Sequence, residues 1–270
     1  MPFFTAEDGV PLYYTDEGQG LPIFLIHGIT MNHKFFQHNT PVLAKTHRVV
    51  TMDIRGHGYS GKQELNWTLR QAARDVRKLI DHLNLSDVTL VGWSMGTMLI
   101  HNYFDQFGGE NLKGAVFMDM APYLLQAPDW EHPMFGNLDC QAAINVSRDI
   151  LNDRLTALES LIPISFKAGQ LPDMATKEFW IRESMLTPTS VMLAFWLGMV
   201  ASDWRSQLAQ IPVPVLLCYG SQSLFFPTQL GKEMQTLIPN SHLVMFEQSG
   251  HSLFWEEPEL FNAEVARFAG

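Results

Sequence analysis

Short runs that are apolar at almost every position alternate along this chain with stretches that are apolar only every third or fourth residue. Residues 21–28 (LPIFLIHG), 47–58 (HRVVTMDIRGHG), 86–93 (SDVTLVGW) and 112–120 (LKGAVFMDM) belong to the first kind. They predict strands buried on both faces, and the glycines that close several of them predict sharp exits. Residues 67–83 place Leu69, Ala72, Ala73, Val76, Leu79, Ile80 and Leu83 on one stripe with Arg, Asp and Lys between them, which predicts an amphipathic helix. A second helix is predicted over 95–107, directly after the third strand. Alternating buried strands and helices imply an α/β fold, a doubly wound and mostly parallel sheet covered on both faces.

The strand pattern stops at about Pro122 and does not return until after Asp203. Helical stretches between them are interrupted at Pro128, Pro133, Pro163, Pro172 and Pro188. Residues 213–220 (VPVLLCYG) and 242–251 (HLVMFEQSGH) then resume it, and 258–268 predicts a closing helix. The chain thus reads as a core of residues 1–121 and 204–270 with a helical cap, 122–203, inserted into it.

Composition narrows the function. Of 270 residues, 46% are hydrophobic and 17% charged, enough for a large core and too apolar for a disordered chain. Eighteen Lys and Arg against 28 Asp and Glu give a formal charge of −10, and no local basic patch offsets it, so a nucleic-acid partner is not expected. Cys140 and Cys218 are too few for a disulfide framework and read as reduced thiols. The first Lys or Arg is Lys34, which argues against a secretory or transit signal. The continuously apolar stretch 191–201 is too short to cross a bilayer, so a soluble, cytoplasmic protein without membrane insertion is expected. Neither a metal-ligand spacing nor a glycine-rich phosphate loop occurs, so no cofactor is expected.

Gly92-Trp93-Ser94-Met95-Gly96 lies between a predicted buried strand and a predicted helix. A serine on such a turn projects its hydroxyl outward, and the flanking glycines let the backbone reverse without a clash. Three further segments stand with it: His27-Gly28-Ile29 after the first buried strand, Asp53-Ile54-Arg55-Gly56-His57-Gly58-Tyr59-Ser60 after the second, and Ser249-Gly250-His251 followed by Glu256-Glu257-Pro258. In these motifs, their order and their spacing, nearly the whole chain resembles the α/β-hydrolase family. The resemblance implies a cofactor-free serine hydrolase. Ser94 would be the nucleophile and His251 the base that activates it. The backbone amides of Ile29 and Met95 would receive the oxyanion. His27 is cast as a shaping residue, and Asp53, Arg55 and His57 as braces of their loop.

One position departs from the family pattern. Where most relatives carry the acid of the triad, after the penultimate strand, this chain has Ser223, and no Asp follows Asp203. Asp119, at the exit of the strand after the nucleophile helix, is the expected replacement, as in haloalkane dehalogenases and some esterases. Glu247 is the rival, although only four residues before His251.

The insertion is rich in large apolar residues, among them Tyr123, Trp130, Phe135, Phe166, Trp180, Phe195 and Trp196. Most should pack the cap onto the sheet. Some should line a pocket above the strand ends, and the candidates are Met31, Trp130, Phe135, Trp196, Phe225 and Phe226. A carboxylic ester with an apolar moiety, or a lactone, is the expected small-molecule substrate. Two alternatives stand beside it: a cofactor-independent haloperoxidase- or dioxygenase-type enzyme on the same scaffold, and a non-enzymatic small-molecule receptor of this fold.

Overall fold

A computed structural model describes residues 2–64 and 66–270. Eight strands form one sheet: β1 (Phe3–Thr5), β2 (Pro11–Gly18), β3 (Pro22–Ile26), β4 (Arg48–Met52), β5 (Val88–Trp93), β6 (Leu112–Met118), β7 (Val215–Gly220) and β8 (Ser241–Phe246). Their spatial order is β1-β2-β4-β3-β5-β6-β7-β8. From β4 to β8 every pairing is parallel, whereas β1 and β2 join the edge antiparallel. The helices are α1 (Thr40–Leu43), α2 (Leu69–His82), α3 (Met95–Phe107), α4 (Cys140–Asn152), α5 (Arg154–Ser165), α6 (Met174–Ser184), α7 (Thr189–Val200), α8 (Gln229–Leu237), α9 (Leu253–Glu256) and α10 (Pro258–Ala269).

The apolar runs are strands because both faces of the sheet are covered. Phe24 and Ile26 of β3 face a core shared with α2 and α3, while Ile23 and Leu25 face one shared with α10. Successive side chains of a strand point to opposite faces, so a strand covered twice must be apolar throughout. Thr68 begins α2 by accepting the Gln71 amide on its side chain. The β1–β2 hairpin, α8 and the one-turn helices α1 and α9 lie outside the expected pattern. The hairpin sits at the sheet edge, and its exposed Phe3 and Thr5 give no buried run to read.

Chain order runs one way from β3 to β4 and the other from β3 to β5, so a crevice opens between the carboxyl ends of β3 and β5, where such folds bind ligands. The helices α4–α7 stand between β6 and β7. The two legs of that segment are pinned together at the base. Tyr123 bridges Asp203, the Trp204 amide donates to the Pro122 carbonyl, and Arg205 pairs with both Asp203 and Asp129.

The loop after β4 is braced from beneath. Arg55 is fully buried, donates to Asp75 at 2.6 and 2.7 Å, and reaches Asp8 at 2.9 Å. Asp53 accepts the amides of His33 and Tyr59 at 2.7 and 2.8 Å. Removing one partner of a buried ion pair leaves the other charge uncompensated. Arg55→Leu should therefore lower unfolding free energy by about 3–5 kcal/mol, read from urea denaturation; a loss under about 1 kcal/mol would contradict the brace.

Candidate active site

Ser94 caps the start of α3 with φ 53° and ψ −117°, a region that L-residues rarely occupy and that costs of order 1–3 kcal/mol. The turn is possible because its neighbours lack side chains. A Cβ on Gly92 would meet the Gly96 carbonyl carbon at 2.5 Å, and one on Gly96 would meet the Ile26 oxygen at 2.4 Å. Two other non-glycine residues at neighbouring strand exits also have positive φ, Thr30 after β3 at 64° and Asp119 after β6 at 44°. Strain of this kind collects at functional sites.

Asp119 and His251 meet across the ends of β6 and β8. The His251 Nδ1 lies 2.7 Å from Asp119 Oδ2, and both side chains are buried. Since an ionised carboxylate only accepts, Nδ1 carries the hydrogen of this bond, which in the neutral ring leaves the lone pair on Nε2. Ser223 donates its hydroxyl to the same Asp119 oxygen at 2.7 Å and accepts the Phe225 amide at 3.2 Å. The Gly220 amide donates weakly to Asp119 Oδ1, at 3.4 Å. Glu247, by contrast, is exposed and takes the Ser221 hydroxyl at 2.8 Å.

The histidine ring is held from both sides. Phe225 stacks on it at 4.1 Å and 18°, and Trp93 lies at 5.6 Å while donating its indole N–H to the His251 carbonyl at 2.9 Å. Its loop is fixed by the two glutamates that follow. Glu256 accepts the Gly250 amide at 2.8 Å, and Glu257 accepts the Gln248 amide at 3.0 Å and the Ser249 hydroxyl at 2.5 Å.

Residues 28–31 form a turn closed by the Met31 amide on the Gly28 carbonyl at 3.3 Å. The Ile29 amide lies inside that turn, and Met95 is the first residue of α3, where backbone amides have no intrahelical partner. Residues of α6 and the segment after it also hold the turn. Thr187 donates to the Thr30 carbonyl at 3.1 Å, and buried Glu183 of α6 accepts from Asn32 at 3.2 Å and Lys34 at 3.0 Å.

From below, His27 holds the turn as a neutral ring. Its Nε2 accepts the Ile54 amide at 3.0 Å and its Nδ1 bonds the Gly28 carbonyl at 2.8 Å. Burial brings His27 down to about 4, His57 to about 3 and His101 to about 4, from the usual 6.5. The unfolded chain takes up protons below 6.5 that the native rings refuse. Stability present above pH 6.5 is thus lost as pH falls toward 4, by up to about 1.4 kcal/mol per pH unit for each ring. The urea midpoint should fall clearly between about pH 7 and about pH 5; an unchanged midpoint would be inconsistent with buried neutral rings.

Ser94 and His251 line one cavity of about 100 Å³. Met31, Phe135, Trp196 and Phe225 line it too, as does Ile29. Trp130 and Phe226, expected on its wall, are not there. Trp130 is buried within the insertion, edge-on to His132, and Phe226 is buried in the core beside Phe225. Adjacent side chains on a non-helical backbone diverge, so only Phe225 of the pair reaches the histidine. Sequence reasoning missed Ile150, Leu158 and Leu161 on α4 and α5, and Met192 and Met199 on α7. Their spacing reads as ordinary helix packing and carries no signal of a cavity.

The arrangement offers a hydroxyl, an imidazole bonded to a buried carboxylate, and backbone amides near the hydroxyl, in mostly apolar surroundings. Those are the parts that nucleophilic acyl transfer requires.

A family model described as the alpha/beta hydrolase fold matches residues 22–258. The AB hydrolase superfamily protein YisY of Bacillus subtilis is 29% identical over 270 residues, covering 99% of this chain and 98% of its own. A putative non-heme chloroperoxidase of Synechocystis is 28% identical over 278 residues, covering 99% of each chain. Among solved structures, an esterase from Exiguobacterium antarcticum superposes with a TM-score of 0.92 at 25% identity, over 99% of this chain and 98% of that one.

Proposed function

Starting from a chain that belongs to the alpha/beta hydrolase fold family, we propose a cofactor-free serine hydrolase that cleaves carboxylic esters with an apolar moiety through a Ser94 acyl-enzyme. The observation that carries this reading is the 2.7 Å contact of His251 with Asp119, made at the wall of the cavity that Ser94 also lines.

The Ser94 hydroxyl attacks the ester carbonyl while Nε2 of His251 takes its proton. Asp119 keeps the other ring nitrogen protonated and balances the imidazolium as it forms. Negative charge gathers on the carbonyl oxygen, where the Ile29 and Met95 amides receive it. Collapse breaks the ester C–O bond, and His251 returns the proton to the departing alcohol. Water then attacks the acyl-serine with the same histidine as base, which releases the acid and restores Ser94. The cavity's lining is largely apolar, which favours an uncharged hydrocarbon group beside the carbonyl.

A fluorophosphonate probe should label the protein once, at Ser94, and a p-nitrophenyl ester should release a burst of p-nitrophenol stoichiometric with protein. Absence of any covalent adduct would refute the acyl-enzyme. The Synechocystis relative named as a chloroperoxidase favours a second reading, a haloperoxidase- or dioxygenase-type activity without cofactor. Ser94→Ala separates the two. Turnover of a heterocyclic substrate under oxygen that survives the substitution would favour the second.

A further inference from the structure

The catalytic cavity is too small for a long ester. A cavity of roughly 150 Å³ admits a benzene-sized guest, so about 100 Å³ accommodates the reacting carbonyl and one small arm. A second hollow of about 400 Å³ adjoins it, between α4 and α5. Phe135, Val146, Ile150 and Leu161 line both spaces, which therefore meet along these four side chains. Ala157 and Ile164 line only the outer one.

Phe135 occupies a special place at that junction. Its φ is 58°, its amide donates to the Phe225 carbonyl at 2.8 Å, and its ring lies 5.1 Å from the Phe225 ring, which stacks on His251. The junction of the two spaces is therefore tied to the loop that covers the histidine. Around the outer hollow the rim carries Asp149, Asn152, Asp153, Thr156 and Ser160, and none of its described lining residues is Lys, Arg or His. Thr156 holds Asp153 ionised by donating from both its amide and its hydroxyl. Arg148, next to the rim, pairs with Asp149 at 3.6 Å.

We infer that the hollow between α4 and α5 binds the long arm of the substrate, and that the enzyme selects esters with one short arm and one extended apolar arm whose far end bears no negative charge. This inference rests on the serine-hydrolase reading and goes beyond it by naming the substrate's shape and charge. The apolar floor takes the chain, and the acidic rim repels a terminal carboxylate.

Two substrate series test it: methyl esters of lengthening acids and acetate esters of lengthening alcohols. In one series kcat/KM should rise about tenfold or more as the chain reaches about eight carbons, since each buried methylene adds to binding. In the other it should fall once the arm exceeds about three carbons, where the small cavity is full. Ala157→Trp should lower the long-to-short ratio of kcat/KM about tenfold, and Ser160→Trp, at an exposed position of α5, provides a second obstruction. Asp149→Lys should raise the relative kcat/KM of a carboxylate-tipped ester several-fold at low salt, and the gain should shrink as salt is added. Two series that both fall with length, or a ratio unmoved by either tryptophan, would overturn the inference while fluorophosphonate labelling still succeeds. Failure of labelling would remove the hydrolase reading and the inference with it.

Discussion

Ser94→Ala is expected to lower kcat/KM for ester hydrolysis by about 10⁴-fold or more, with the folded structure intact. Of the other serines on the cavity wall, Ser165 donates to the Leu161 carbonyl at 2.8 Å and Ser184 points to the Met31 sulfur at 3.5 Å. The alanine variant should still bind substrate, because the apolar walls and the backbone amides remain. Steady-state kinetics with a p-nitrophenyl ester, together with an intact unfolding transition, checks the prediction. A loss of only about tenfold would mean that the acyl group never passes through Ser94.

Asp119→Asn should cost about 10³–10⁴-fold in kcat and slow fluorophosphonate labelling to match. An amide at this position can donate to Nδ1, which reverses the tautomer and removes the base from Nε2; it also supplies no charge to balance the imidazolium. Ser223→Ala should label almost as fast as the wild type, because it removes one donor to a carboxylate that stays in place. The 2.7 Å contact between Ser223 and Asp119 brings the ends of β6 and β7 to a common point, so the acid should be movable. Asp119→Ser combined with Ser223→Asp should regain about tenfold or more over Asp119→Ser alone. Equal labelling of Asp119→Asn and wild type would reassign the acid.

The extent to which this architecture was legible follows from where each element gets its stability. Strands β3 to β7 are apolar at almost every position because they are covered on both faces, and that pattern is local. The β1–β2 hairpin is held by pairing at an exposed edge, which leaves little trace in the order of residues. At the site, Ser94 and His251 sit in compact motifs next to predicted strands. The proposed acid was harder. Asp119 and Ser223 are far apart in sequence and become neighbours only through the β6–β7 register, in which Met118 pairs with Cys218. The insertion was hardest of all. Its helices present apolar residues both to their own packing and to the cavity, and only their mutual placement decides which of Trp130, Phe135 and Trp196 lines that cavity.

The helices between β6 and β7 also bear on any attempt to change specificity by transplantation. Thr187 holds the Thr30 carbonyl, and Glu183 gathers Asn32 and Lys34, so the strained bend beside Ser94 is shaped partly by residues that belong to the roof. A roof borrowed from another homologue would bring new walls but leave that bend unsupported unless both anchoring positions came with it. Chimeras that respect these two anchors should retain turnover, whereas those that ignore them should bind well and react poorly.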